Sequence, residues 1–270
     1  MKLMTPEEAK QVELDILSNV ADFCDAHNLR YCLAYGTLIG AVRHKGFIPW
    51  DDDIDIWMPR ADYNEFLQRY NNKNGNDRYT VISPYDKRSQ HTFAKVIDEA
   101  TVKFEANADY INGHLGVDVD IFPLDGMPED EQEYIRWYNK LHNIYRKIVY
   151  LILDEKKNVK RRVLLPLIRL WVGGKAGILR KTAKLHKQYP FNESTYVGSV
   201  ESHYNASNNR FKKEWFDSFL LVKFENKEFK IPAEYDKILT QIYGDYMQLP
   251  PEEQQKTHHI NKMYWLEDNR

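Results

Sequence analysis

Apolar residues recur at three- and four-residue spacing from Ala9 through Val12, Ile16, Val20 and Phe23, the period of a helix with one buried face. Thr5 can cap this helix, Pro6 suits its first turn, and Glu8 completes a capping box, so a helix is predicted over residues 5–28. "RYCLAYG" then reads as a short buried strand ending at Gly36, and "TLIGAVRHKG" as a short helix closed by Gly46. "DDIDIWM" is the next strand, followed by a helix over about 62–71 and by strand-like "YTVIS", "TFAKVID", "TVKFE" and "GVDVDIFPLDG". A long helical stretch runs from Glu129 to about Leu153 and leads into a basic segment. "LLVKFENKEFKIP" predicts a hairpin turning at Asn226 and Lys227, and a last helix covers about 233–243. Helical and alternating periods in this order predict an α+β or α/β chain with a mixed sheet, and neither an internal repeat nor a low-complexity segment interrupts them.

The 270 residues, 43% of them hydrophobic, with 12 Phe, 18 Tyr and 6 Trp, can fill a sizeable core. Cys24 and Cys32 are the two cysteines, too few for a disulfide framework, and they read as small buried apolar residues in a reducing compartment. "MKLMTPEEAKQVELDIL" lacks the apolar core of a signal peptide, and no uncharged apolar run approaches the ~18 residues of a membrane span. A soluble, cytoplasmic protein is expected.

The net charge of −2 conceals a segregation. Eleven Lys and Arg lie between Lys156 and Lys187 without one Asp or Glu, which leaves 27 bases against 40 acids elsewhere. Within "RRVLLPLIRLWVGGKAGILRKTAKLHK", Leu, Ile, Val and Trp fill the gaps between cations. That mixture suits an interfacial helix on an anionic leaflet better than a nucleic-acid surface, whose gaps would be polar. A helical lobe with a solvated basic face is the plainer alternative.

The chemistry is concentrated in "PWDDDIDIWMPR", where Asp51, Asp52, Asp53 and Asp55 fall within five positions. Side chains two apart on a strand share a face, so Asp53 and Asp55 point together while Ile54 and Ile56 pack inward. Two carboxylates about 7 Å apart beside apolar residues repel, unless one takes a proton or a cation lies between them. Oxygen ligands without neighbouring Cys or His suit Mg²⁺ or Mn²⁺ rather than Zn²⁺. "VDVDIF" repeats the device with Asp118 and Asp120. A solvated acidic turn is the plainer reading of three consecutive aspartates alone. The strand alternation and the upstream "YGTLIGAVR" argue against it: Gly36 and Thr37 open a helix whose free N–H groups form an anion site. Phosphate at a helix start and a cation on the next strand are the parts of a phosphoryl-transfer site.

"AYGTLIGAVRHKGFIPWDDDIDIWMPRADYNEF" closely resembles the signature of the LicD family, phosphocholine transferases that decorate bacterial surface glycans and that group with fukutin in the nucleotidyltransferase-like fold. "VDVDIFPLDG" and "YGDYMQLPPEEQQKTHH" resemble later blocks of that family, so the likeness covers roughly residues 31–125 and 222–259. The resemblance implies an α+β protein: a nucleotidyltransferase-like core with a mixed β-sheet flanked by helices, plus a basic helical insertion. The corresponding division is 1–128 for the catalytic core, 129–192 for a basic, membrane-proximal lobe, and 193–270 for a part completing the catalytic domain.

It also implies roles. Asp53 and Asp55 match the metal-binding pair, and Asp120 best matches the third carboxylate and the catalytic base, with Asp118 the runner-up. Gly36 and Thr37 match the phosphate-contacting junction. Asp51 and Asp52 become loop residues that orient the site. Arg43, Lys95 and His259 are candidates for substrate binding; for Arg43 an ion pair with a nearby aspartate weighs as much, and for His258 and His259 a capping or packing role. Trp50 and Trp57 are among the aromatics that could face a choline ammonium.

The implied activity is Mg²⁺- or Mn²⁺-dependent transfer of phosphocholine from CDP-choline to a sugar hydroxyl of a teichoic-acid or lipopolysaccharide precursor. The acceptor is expected to be lipid-linked, residues 156–187 to meet the inner face of the plasma membrane, and nucleic acid to play no part. The alternatives are a CDP-ribitol, CDP-glycerol or CDP-ethanolamine donor, a nucleotide-sugar glycosyltransferase, which gives no reason for the Gly-Thr helix, and a non-catalytic membrane-associated scaffold of the same fold.

Overall fold

A computed structural model describes residues 1–73, 77–89, 91–105, 115–153, 173–201, 206–257 and 261–266. After a two-residue strand β1 (Lys2–Leu3), helix α1 spans Pro6–Ala26 and starts with the expected capping box. Glu8 N–H donates to Thr5 Oγ1 at 3.1 Å and Thr5 N–H donates to the Glu8 carboxylate at 2.9 Å. The predicted apolar face is buried, with Ile16 and Val20 fully enclosed.

Strand β2 (Cys32–Leu33) leads into α2 (Tyr35–Ile39), which continues as a π-helical turn over Gly40–His44. This helix stops at Lys45, whose φ is 63°, one residue before the expected Gly46. Gly46 answers a different need: a Cβ there would lie 2.1 Å from the Glu225 carboxylate, which accepts from the Phe47 N–H at 3.0 Å.

Strand β3 (Asp55–Pro59), α3 (Arg60–Lys73), β4 (Tyr79–Ile82), β5 (Ala94–Asp98), β6 (Thr101–Glu105) and β7 (Asp118–Met127) follow. Helices α4 (Glu131–Leu153) and α5 (Gly174–His186) precede β8 (Tyr196–Gly198), β9 (Phe211–Lys212), β10 (Phe219–Phe224), β11 (Lys227–Pro232), α6 (Tyr235–Tyr243) and β12 (Asn261–Trp265). The main sheet has the order β2-β3-β7-β5-β4, with β8 beside β7 and β9 beside β8. β3 and β7 are parallel and the other pairs antiparallel, so the fold is α+β with a mixed sheet flanked by helices. β12 lies between β1 and β6 in a second small sheet.

The hairpin β10–β11 forms as predicted, but Phe224 faces Lys227, so its turn is Glu225-Asn226 rather than Asn226-Lys227. Glu225 carries the positive φ of 57° that a two-residue turn needs.

One core cluster joins α1, the β2–β3–β7 strands and the hairpin. Tyr134, Trp137, Leu141 and Tyr145 of α4 form another with Ile178 and Leu179 of α5. Cys24 and Cys32 are free and buried. Residues 154–172, most of the basic segment, and His258 and His259 lie outside the described residues. In α5 the apolar residues turn inward while Arg180, Lys181 and Lys184 are exposed. Among the described residues no helix is long and apolar enough to cross a membrane.

Candidate active site

The parallel pairing of β3 with β7 sets Asp55 directly opposite Asp120, and the antiparallel pairing of β7 with β5 sets Lys95 on the other side of Asp120. Three strands that are separate in sequence thus present an acid, an acid and a base in one row. Ile54 and Ile56 are fully buried, while Asp51, Asp53 and Asp55 line one side of a cleft of about 590 Å³, a size usual for small-molecule sites. Its opposite wall comes from the far end of the chain, where Tyr243, Asp245 and Tyr246 face Gly36 and Trp50.

Local contacts explain the small residues. The Asp55 N–H donates to Thr37 Oγ1 at 2.8 Å, and the Ala34 N–H donates to the Asp55 carbonyl at 2.9 Å. Thr37 therefore ties the helix start to the acidic strand. At Gly36 a Cβ would lie 2.6 Å from an Asp51 carboxylate oxygen, so the glycine is what lets that acid approach the helix. Tyr35, which precedes the glycine, has φ 43°, strained for an aromatic residue, and its ring packs edge-on against Trp57 and Phe122.

The electrostatics sort the acids. Lys95, 6% exposed, donates to both Asp118 and Asp120, and Lys103 donates to the other Asp118 oxygen at 2.7 Å. Although burial alone would raise it, Asp118 is held well below the usual carboxylate range by Lys103 and Lys95. Asp120 shares one lysine and is pushed up to about 7, because burial outweighs Lys95. Asp55 is raised well above its ordinary value by burial, then by Asp53 and Asp120. Burial followed by Asp53 lifts Asp51 to about 7. Asp118 is thus a fixed anion spanned by two lysines, and Asp120 is the β7 acid that answers Asp55.

Among the described residues, Arg43 makes no ion pair with an aspartate. It donates to the carbonyls of Tyr246 at 2.5 Å and Gln248 at 3.3 Å, and to His44 Nε2 at 3.0 Å. Its observed work is to bind the C-terminal wall to the helix that starts at Tyr35. Lys95 and Asp120 meet Asp55 beneath the cleft that Gly36 and Asp53 line, whereas His259 lies outside the described residues. Lys103 was missed in the sequence; its alternation with buried Thr101 in "TVKFE" was the available signal, but the pairing with Asp118 needs the sheet.

Asp53, Asp55 and Asp120 offer the all-oxygen donor set that suits Mg²⁺ or Mn²⁺, and Asp55, raised by burial and then by Asp53 and Asp120, is an acid that a cation would relieve. Among the described residues, however, the only trio of His, Cys, Asp or Glu whose ligand atoms all lie within 4.8 Å of one another is elsewhere: Asp125, His186 and Glu201. Asp53, Asp55 and Asp120 are spaced more widely than that. The Asp125 trio is an acidic-histidine cluster spaced to hold a metal, and the aspartate pattern around Asp53 gave no hint of it.

Two comparisons bear on this geometry. The family described as "LicD/FKTN/FKRP, nucleotidyltransferase domain" matches residues 28–176, which include α2, β3, β5 and β7. The chain is also 33% identical over 272 residues to the lipopolysaccharide cholinephosphotransferase LicD of Haemophilus influenzae, covering 98% of this chain and all of that one. The chain belongs to the LicD family. Shorter likenesses join it to an uncharacterized protein of Rickettsia typhi, 39% identical over 62 residues (23% of this chain, 20% of that one), and to another of Rickettsia prowazekii, 40% identical over 47 residues (17% and 18%). In this LicD-family chain the matched span contains Asp51, Asp53 and Asp55 of the cleft and Asp118 and Asp120 of β7, while the wall with Tyr243 and Tyr246 lies beyond it.

Proposed function

We propose that the protein transfers phosphocholine from CDP-choline to a hydroxyl of a cell-surface glycan. The observation that carries this reading is the register that sets Asp55 against Asp120 beneath the cleft, in a chain alike over nearly its whole length to a lipopolysaccharide cholinephosphotransferase. The acceptor hydroxyl attacks the phosphorus that bears choline, the bond to the CMP phosphate breaks, and CMP leaves with that oxygen. Asp120 takes the hydroxyl proton as the general base of the site. Gly36 and Thr37 receive the diphosphate at the helix start, and Lys95 holds Asp120 in line. Asp53, Asp55 and Asp120 would hold Mg²⁺ or Mn²⁺, which supplies neutralisation of the diphosphate charge when bound.

Half-buried Trp50 and Tyr243 beside Asp245 give a quaternary ammonium aromatic faces and a counter-charge, which favours choline over ribitol or glycerol. The acceptor in this reading is lipid-linked, of lipopolysaccharide or teichoic-acid type, and residues 156–187 bring the enzyme to the inner leaflet from the cytoplasm.

The test is incubation of the protein with CDP-choline, Mg²⁺ and acceptor glycan, following CMP. CMP release that needs the acceptor supports the proposal. Release from CDP-ribitol, CDP-glycerol or CDP-ethanolamine alone reassigns the donor, and silence with all four points to a scaffold.

A further inference from the structure

Lys103 reaches the acids of β7 from outside the main sheet. It is 5% exposed and sits on β6, which pairs with β12 in the small sheet. Its backbone is held from both sides. The Lys103 N–H donates to the Leu115 carbonyl at 2.8 Å, three residues before β7 begins at Asp118, and Met263 of β12 pairs with Lys103 on the other edge. The small sheet thus places a lysine at the start of β7.

Strand register explains what this lysine meets. Asp118 and Asp120 lie two apart on β7 and share a face. Lys95 on β5 stands opposite Asp120 and lies diagonal to Asp118, and it donates to one oxygen of each. Lys103 donates to the other Asp118 oxygen, Oδ1, at 2.7 Å. One run of bonds therefore leads from Lys103 through Asp118 and Lys95 to Asp120, which stands opposite Asp55. Lys95, Lys103 and Asp118 are all buried, so water screens their charges little. Glu13 of α1 is buried as well, and burial raises it well above the ordinary carboxylate value despite the field of Lys103. Asp118, not Glu13, is the fixed anion that Lys103 holds.

A lysine shared by two carboxylates leans toward the one whose charge is less answered. With Lys103 on Oδ1, part of the Asp118 charge is already met and Lys95 stays divided. Without Lys103, Asp118 would draw Lys95 away from Asp120. Without the Asp118 charge, Lys95 would turn wholly to Asp120.

We infer that Lys103 is a positioning residue: by holding Asp118 it sets how Lys95 is divided between Asp118 and Asp120, and so how much negative charge Asp120 presents to a cation and to the acceptor hydroxyl. Its part in transfer rests on the phosphocholine reading above; the sharing of Lys95 rests on the bonds alone.

Titration of Mn²⁺ into the full chain without nucleotide, with the free ion read by electron paramagnetic resonance, tests it. Lys103→Met should tighten Mn²⁺ binding and Asp118→Asn should weaken it, each roughly three- to tenfold. Lys103→Met should also lower the kcat of acceptor-dependent CMP release by roughly 10–100-fold, while the KM for CDP-choline changes less than about twofold. Lys103→Arg, which keeps the charge, should bind Mn²⁺ as the parent does and recover most of the rate. The inference fails if Lys103→Met and Asp118→Asn shift Mn²⁺ affinity in the same direction, as a merely structural cluster would, or if neither shifts it. It also fails if Lys103→Arg matches Lys103→Met, or if the parent takes up no Mn²⁺. Where Lys103→Met does not fold, Asp118→Asn decides: Mn²⁺ binding as tight as the parent's overturns the inference. Opposite shifts in a chain that releases no CMP from any CDP-alcohol would remove the phosphotransfer reading and leave the sharing of Lys95 in place. CMP release with unshifted variants would do the converse.

Discussion

The carboxylates at the starts of β3 and β7 are set apart by their neighbours. Asp118 is neutralised twice by Lys95 and Lys103, Asp120 once, and Asp55 faces Asp120 and Asp53 with no cation among the described residues in hydrogen-bond reach. Asp120→Asn, which keeps volume and removes the charge, should lower acceptor-dependent CMP release by roughly 10²–10⁴-fold without changing the circular dichroism spectrum. Near-parental release would move the base elsewhere. The same acids fix a pH dependence. Asp51 and Asp120 ionise near 7 in the folded chain against an ordinary 3.8, so between about pH 4 and 7 the folded state holds more protons than the unfolded one. Stability from these two groups falls as pH rises through that window. Asp118 and Asp125, both lowered, contribute in the opposite sense, and their share is lost only below about pH 4. In EDTA the Tm should therefore be higher at pH 5.5 than at 7.5, and Mg²⁺ or Mn²⁺ should raise it more at 7.5. Scanning fluorimetry that finds the reverse order, with no metal effect, would remove the cation from this site.

Among the elements, α2 and β3 act as one unit because a side chain closes their backbone hydrogen bonds. Thr37→Val leaves the Asp55 N–H without its acceptor and should cost about 1–3 kcal/mol in urea unfolding, whereas Thr37→Ser should restore most of it. Equal stability of the two variants would show that the hydroxyl is not what joins helix to strand. Much at this scale was legible beforehand. The α1 capping box, the alternation around Ile54 and Ile56, and the strand-like "VDVDIF" each follow from contacts a few residues long. Two details were not: the helix ends at Lys45, in the left-handed conformation, with the Glu225 carboxylate filling the space beside Gly46, and the hairpin turns one residue early, at Glu225, also left-handed. Both places meet at Glu225, which comes to Gly46 from 179 positions away in sequence only when the hairpin packs on the helix.

Across the whole molecule, the network of Arg60, Asp125, Glu201, Tyr145 and His186 joins the sheet to α4 and α5. Arg60→Ala leaves Asp125, 1% exposed, without its main counter-ion and should destabilise the fold by about 3–5 kcal/mol. Calorimetry that detects less than about 1 kcal/mol would reduce the network to a surface-like pair. By itself the sequence determined the elements, the acidic strand entrance and the family, since periodicity, capping and a contiguous motif are written in neighbouring residues. Only the tertiary structure decided which acid is neutralised by lysine and which faces Asp55, that Arg43 holds the C-terminal wall, and that Asp125 finds Arg60, His186 and Glu201. Charges act through space, and the strand register and helix packing that set their separations arise from contacts between residues far apart in the chain.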